Sequence, residues 1–176
     1  MITKFKEILP IYRFLISFAV LSIAWYVLYK FVLSPYTGID MFVVDTTLHF
    51  SKSILTSLGH NAFIEGRTIR IAGTGGLWVG DNCNAISLFA LFSGFILSFP
   101  GQLKSKYWFI PLGILLIFLL NCLRMVILAI LDVYSRDWTE FNHTYTFTIL
   151  IYGFIFFLWM FWVNKYSFIK NIVKVD

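Results

Sequence analysis

Residues 107–131 read YWFIPLGILLIFLLNCLRMVILAIL, a run from Tyr107 to Leu131 with Arg124 as its one charged side chain. A helix rises about 1.5 Å per residue, so this run exceeds the roughly 30 Å of hydrocarbon in a bilayer. Three further windows share its character: Ile11–Leu33, Ala85–Phe99 and Thr144–Val163. The window at Ala85–Phe99 is short, and it reaches spanning length only when Cys83 and Asn84 are counted in, which places those two residues at a water interface. The whole chain is 59% hydrophobic, 20% aromatic and only 13% charged. A soluble domain carries about a quarter charged residues, so this chain lacks the means to cover a water-facing surface. The sequence predicts an all-α integral membrane protein of about four transmembrane helices, forming a single domain over residues 1–176.

The net charge of +5 is distributed as a membrane protein would have it, and predicts lipid rather than nucleic acid as the partner. Lys4, Lys6 and Arg13 precede or open the first window, Lys104 and Lys106 fill the turn before Tyr107, and Lys165, Lys170 and Lys174 follow the last. With four spans all three groups fall on one side, and short basic loops mark the cytoplasmic side. The expected location is the cell inner membrane, with both termini inside and the segments 34–82 and 132–143 outside. The first window has the basic start of a signal peptide, but it is long and lacks a small-x-small cleavage site, so it reads as an uncleaved anchor. The two cysteines sit at different expected depths, which disfavours a disulfide.

Between the first two windows, residues 41–58 place Met41, Val44, Leu48, Leu55 and Leu58 at helical spacing, with Asp45, His49 and Lys52 on the other face. This pattern predicts an amphipathic helix on the outer face. Residues Ala62–Gly80 alternate β-branched and polar side chains, punctuated by Gly66, Gly73, Gly75 and Gly76, and predict a small β-hairpin. The hairpin leads directly into Asp81-Asn82-Cys83. Asp45 and His49 are too few for a metal site, and no phosphate loop, dinucleotide fingerprint or zinc motif is present. The expectation is therefore no metal and no cofactor.

Arg124 lies within its span, where an ionisable group costs at least about 2.5 kcal/mol and marks a functional site by default. It is about 25 Å along the helix from Tyr107, towards the outer leaflet. Asn121, three residues earlier, shares its face. His143 opens the last window from that same side, and Cys83 opens the second. Taken singly, each has an ordinary reading: a snorkelling cation, an interfacial hydrogen-bonding ring, a small apolar filler. Topology nevertheless brings all three to one leaflet of neighbouring helices. A cysteine beside a cation and an imidazole is the arrangement that generates a thiolate near neutral pH. The arginine can also donate to an oxyanion, and the histidine can protonate a leaving amine. Acyl transfer is the reaction class these groups suit. Cys122 is offset round the helix from Arg124 and reads as packing, and His60, Asp132 and Glu140 read as solvated.

The set Asp81-Asn82-Cys83-Asn84-Ala85-Ile86-Ser87-Leu88, Asn121-Cys122-Leu123-Arg124 and Asn142-His143 resembles, in order and spacing, the exosortase/archaeosortase family of membrane-embedded sorting enzymes, as one of its compact members. The resemblance implies Cys83 as nucleophile, Arg124 as stabiliser of the thiolate or transition state, and His143 as acid/base. It implies as partner an exported protein with a C-terminal tripartite sorting signal: a short motif, a hydrophobic span and a basic tail. The implied activity is that of a cysteine transpeptidase or endopeptidase cutting that signal at the outer face of the inner membrane. The alternative is a non-catalytic scaffold or assembly partner in a surface-protein export system. The family pattern commonly reads Cys-Ser-Gly or Cys-Asn-Gly, and here Ala85 stands in the glycine place.

Overall fold

The computed structural model describes residues 2–80 and 84–167, with side chains from Ile11 onward. Helix α1 (Ile2–Leu28) continues through a π-helical turn (Tyr29–Leu33) into the short α2 (Ser34–Thr37). Gly38, at φ 63°, breaks the rod and starts α3 (Ile39–Ser57). Three strands follow, β1 (Ala62–Glu65), β2 (Thr68–Ile71) and β3 (Leu77–Trp78), then α4 (Ile86–Ser98) and α5 (Leu103–Tyr134). The chain closes with α6 (Arg136–Phe141), a second π-helical turn (Asn142–Thr146) and α7 (Phe147–Tyr166).

Three helical stretches are long and apolar enough to cross a membrane: Ile11–Thr37, Leu103–Tyr134 and Arg136–Tyr166. The apolar α4 is shorter, about 20 Å along its axis. Ile16, Val20, Ile23 and Val27 all stand exposed on α1, and no residue of its most apolar window is buried by the rest of the protein. Phe156, Phe157 and Phe161 repeat this on α7. Apolar surface on this scale is not stable against water and is the surface a bilayer covers. The protein is a membrane protein, mostly helical, with a small antiparallel sheet.

The helices close on one another through aromatic side chains and one absent side chain. Phe14 of α1 packs edge-on against Phe95 and Phe99 of α4, and Phe95 stacks on Trp159 of α7 at 4.2 Å between centroids. Trp162 is fully buried and Trp159 packs partly buried against the same cluster, so both build the interior. At Gly113 a β-carbon would lie 2.2 Å from the Phe92 ring, so the contact of α4 with α5 requires glycine there. Lys106, read from sequence only as part of a basic turn, is also buried. Its ammonium donates to the carbonyls of Leu97 and Phe99, each at 2.8 Å, and so satisfies the open C-terminal end of α4.

The amphipathic segment 41–58 is helical, and its stripe is turned onto protein. Val44, Leu48 and Leu55 are buried where α3 runs along α5, while Met41 and Leu58 at the ends of the stripe stay exposed. The hairpin forms in antiparallel register, Ala62 opposite Ile71 and Glu65 opposite Thr68, with Gly66 at positive φ in the turn. A third strand, not foreseen, pairs Leu77 with Ile69. Ile69 and Ile71 face into a cluster with Leu55, Met125 and Leu128, which seats the sheet on α3 and α5. Asp132 corrects its sequence reading. It is not solvated: its side chain is 3% exposed, accepts the Gly76 N–H at 3.0 Å and faces Arg136 at 3.8 Å. A carboxylate at the end of α5 thereby ties down the sheet.

Candidate active site

The side chains that could do chemistry lie between the two apolar clusters, one built from α3, the sheet and the far half of α5, the other from α4, α5 and α7. Between them opens a cavity of about 370 Å³, bordered by Asn84, Ala85, Ser87, Arg124, His143, Thr144, Thr148 and Tyr152 among others. Its size is at the low end for a ligand pocket. A hollow of about 430 Å³ elsewhere, lined by Phe42, Phe89, Pro111, Ile114, Leu115 and Phe118, holds no ionisable group. The smaller, polar cavity is where a reaction could run.

Each wall is set by local backbone. Arg124 is 9% exposed, and Asn121 on the same face of α5 is 1% exposed. Cys122 is fully buried on a different face, where its carbonyl accepts the Ser51 hydroxyl of α3 at 3.3 Å. His143 and Thr144 enter the cavity from the π-helical turn Asn142–Thr146, which carries one extra residue per hydrogen-bonded turn and so re-aims side chains at the head of α7. The turn is held from below by Asn142, whose amide donates to the Trp138 carbonyl at 2.7 Å. Arg124 and His143, two of the three residues singled out from sequence, both border this cavity. Cys83 lies outside the described residues, which resume at its neighbour Asn84.

Ala85 explains the glycine of the family pattern. It precedes α4 at φ 62°, ψ 0°, and is the one described non-glycine residue at positive φ. A left-handed alanine costs roughly 1–2 kcal/mol, while its buried methyl recovers about 0.8 kcal/mol. The two nearly cancel. Ala85→Gly is therefore expected to leave stability within about 1 kcal/mol. Ala85→Val, β-branched at positive φ, is expected to lose more than about 2 kcal/mol. Thermal unfolding of the detergent-solubilised protein measures both; a valine variant as stable as the parent would contradict the left-handed turn.

Sequence reasoning missed Asp40. It is 6% exposed at the start of α3, and one of its oxygens accepts both the Tyr29 hydroxyl and the Asn84 amide, each at 2.5 Å. Asn84 in turn accepts the Ile86 N–H at 3.0 Å. Among the described residues no group of three or more His, Cys, Asp or Glu side chains is placed to hold a metal ion.

The family model of transmembrane exosortases matches residues 11–166, nearly the whole chain and every element that borders the cavity. The chain belongs to the transmembrane exosortase family. No curated protein and no solved structure gives a significant match. Membership of this family associates the protein with the processing of sorting signals on exported proteins.

Proposed function

We propose that this exosortase is a membrane-embedded cysteine transpeptidase or endopeptidase, and that its cavity opens on the outer face of the inner membrane. The observation that carries the reading is that Arg124 and His143 border one cavity with Asn84 and Ala85, the two residues that follow Cys83. The Cys83 thiolate attacks the scissile carbonyl carbon, and the carbonyl oxygen becomes an oxyanion that the Arg124 guanidinium stabilises. The C–N bond then breaks, His143 protonates the departing amine, and a thioester to Cys83 remains. An acceptor amine, hydroxyl or water attacks the thioester, loses its proton to His143 and releases the Cys83 thiolate. The substrate is an exported protein whose hydrophobic C-terminal span lies in the same bilayer, so that cleavage separates the exported part from its membrane tail.

The test uses the two cysteines against each other. In cells expressing each variant at matched levels, Cys83→Ala is expected to abolish cleavage of an exported protein carrying the tripartite signal, leaving the uncut form in the membrane. Cys122→Ala, a small change at a packed site, is expected to leave cleavage within about twofold of the parent. Normal processing by Cys83→Ala would remove the enzyme reading and leave the scaffold reading in its place. Loss with Cys122→Ala alone would mean that the wrong thiol has been assigned.

A further inference from the structure

We propose that Asp40 is a positioning residue of this site, acting through Asn84 on the turn that follows Cys83. The inference rests on the cysteine-enzyme reading above and adds to it a residue from a segment far upstream. A carboxylate that is 6% exposed in a chain of this apolar character needs donors, because an uncompensated buried charge costs several kcal/mol. Among the described residues Asp40 has two, and they come from different parts of the fold. Tyr29 is the first residue of the π-helical turn that interrupts the first span, and its hydroxyl donates to Oδ1 of Asp40 at 2.5 Å. Asn84 donates from Nδ2 to the same oxygen at 2.5 Å. The start of α3 suits the negative charge, since the first turn of a helix carries partial positive charge.

Asn84 connects this carboxylate with the cavity. Both ends of its amide are engaged: Nδ2 with Asp40, and Oδ1 with the backbone N–H of Ile86. With those two bonds in place the side chain has one orientation, and Ala85 between them is held in its left-handed conformation. Asn84 and Ala85 both line the cavity that Arg124 and His143 border. Asp40 does not itself border the cavity. Its effect on Cys83 runs through the Asn84 amide and the backbone that joins Asn84 to Cys83.

The hydrogen-bond pattern gives a test that needs no substrate. In the Cys122→Ala background Cys83 is the sole cysteine, and its rate of alkylation by iodoacetamide can be followed against pH in the full chain reconstituted in lipid nanodiscs. Asp40→Ala is expected to slow alkylation at neutral pH by about tenfold, the size of effect expected from one charge-assisted hydrogen bond. Asp40→Asn keeps an acceptor oxygen for both donors and is expected to stay within about threefold of the parent. Asn84→Asp sets carboxylate against carboxylate and is expected to behave like Asp40→Ala. Adding Asp40→Asn to Asn84→Asp restores a donor facing an acceptor, and is expected to bring the rate back to within about threefold of the parent. The proposal is overturned if Asp40→Ala alkylates as the parent does, or if the double variant is no better than Asn84→Asp. Should a single variant fail to fold, the double variant decides: recovery of folding and rate upholds the proposal, and no recovery overturns it. Because the readout is thiol reactivity, it stands apart from the processing assay. Normal processing by Cys83→Ala would sink the enzyme reading while the alkylation profiles still report on Asp40.

Discussion

Arg124→Lys is expected to reduce cleavage of the sorting signal by at least about 10²-fold, close to the loss from removing the nucleophile, in a protein that still folds. The substitution keeps the positive charge, so a large loss isolates what charge alone does not supply. Guanidinium is a planar fork with five donors, able to bind an oxyanion and a second acceptor together, whereas an ammonium is a compact, strongly hydrated point charge on a flexible stem. Arg124 is nearly buried on α5 with Asn121 on the same face. In so dry a wall a donor fixed before the reaction begins is worth far more than one that must reorganise. The measurement is a pulse-chase of an exported substrate in cells holding parent and variant at equal abundance. Full processing by the lysine variant would reduce Arg124 to a stabiliser of charge at Cys83. Full processing by Arg124→Gln as well would take it out of the reaction altogether.

The parts of this architecture legible in the sequence are those written in long apolar runs and in residues expensive to place there. Arg124 is legible because an arginine amid leucines and isoleucines demands a reason, and the structure places it on the border of a cavity with His143. The hairpin was legible from β-branched alternation and Gly66. Asp40 was not, and the cause is instructive. The stripe of α3 was read as starting at Met41, whereas the buried face runs Asp40, Val44, Thr47, Leu48, Ser51 and Leu55. Counting one turn back from Val44 puts a carboxylate on the apolar face, the same anomaly that marks Arg124. Asp132 was misread for a related reason. A charged residue at the end of a span looks solvated until the loop between β2 and β3 brings it the Gly76 N–H. The π-helical turns at Tyr29–Leu33 and Asn142–Thr146 leave no mark in composition, since one inserted residue shifts a helical face by about 100° and changes nothing else. The side chains they aim, Tyr29 at Asp40 and His143 at the cavity, are placed by that shift.

His143→Ala is expected to slow cleavage of an amide-linked substrate by about 10²–10⁴-fold, the usual contribution of a positioned general acid. The size of that loss should depend on the leaving group. An amine departs poorly from the tetrahedral intermediate unless protonated, so an enzyme without His143 should stall with the oxyanion formed and the C–N bond intact. Replacing the scissile N–H by oxygen gives an ester, whose alkoxide needs far less help to leave. Once the mass of the released fragment has identified the bond that is cut, a peptide and its depsipeptide analogue can be compared in nanodiscs holding parent, His143→Ala, Cys83→Ala and Arg124→Lys proteins. His143→Ala should recover most of its rate on the ester. Cys83→Ala and Arg124→Lys should recover none, because attack and oxyanion stabilisation are needed for either bond. An equal loss for His143→Ala on both substrates would move its role from proton delivery to the leaving group towards generation of the thiolate, a step common to both. Full activity on the amide would remove His143 from the chemistry. It would leave the ring as one more polar lining of the cavity beside Thr144 and Thr148.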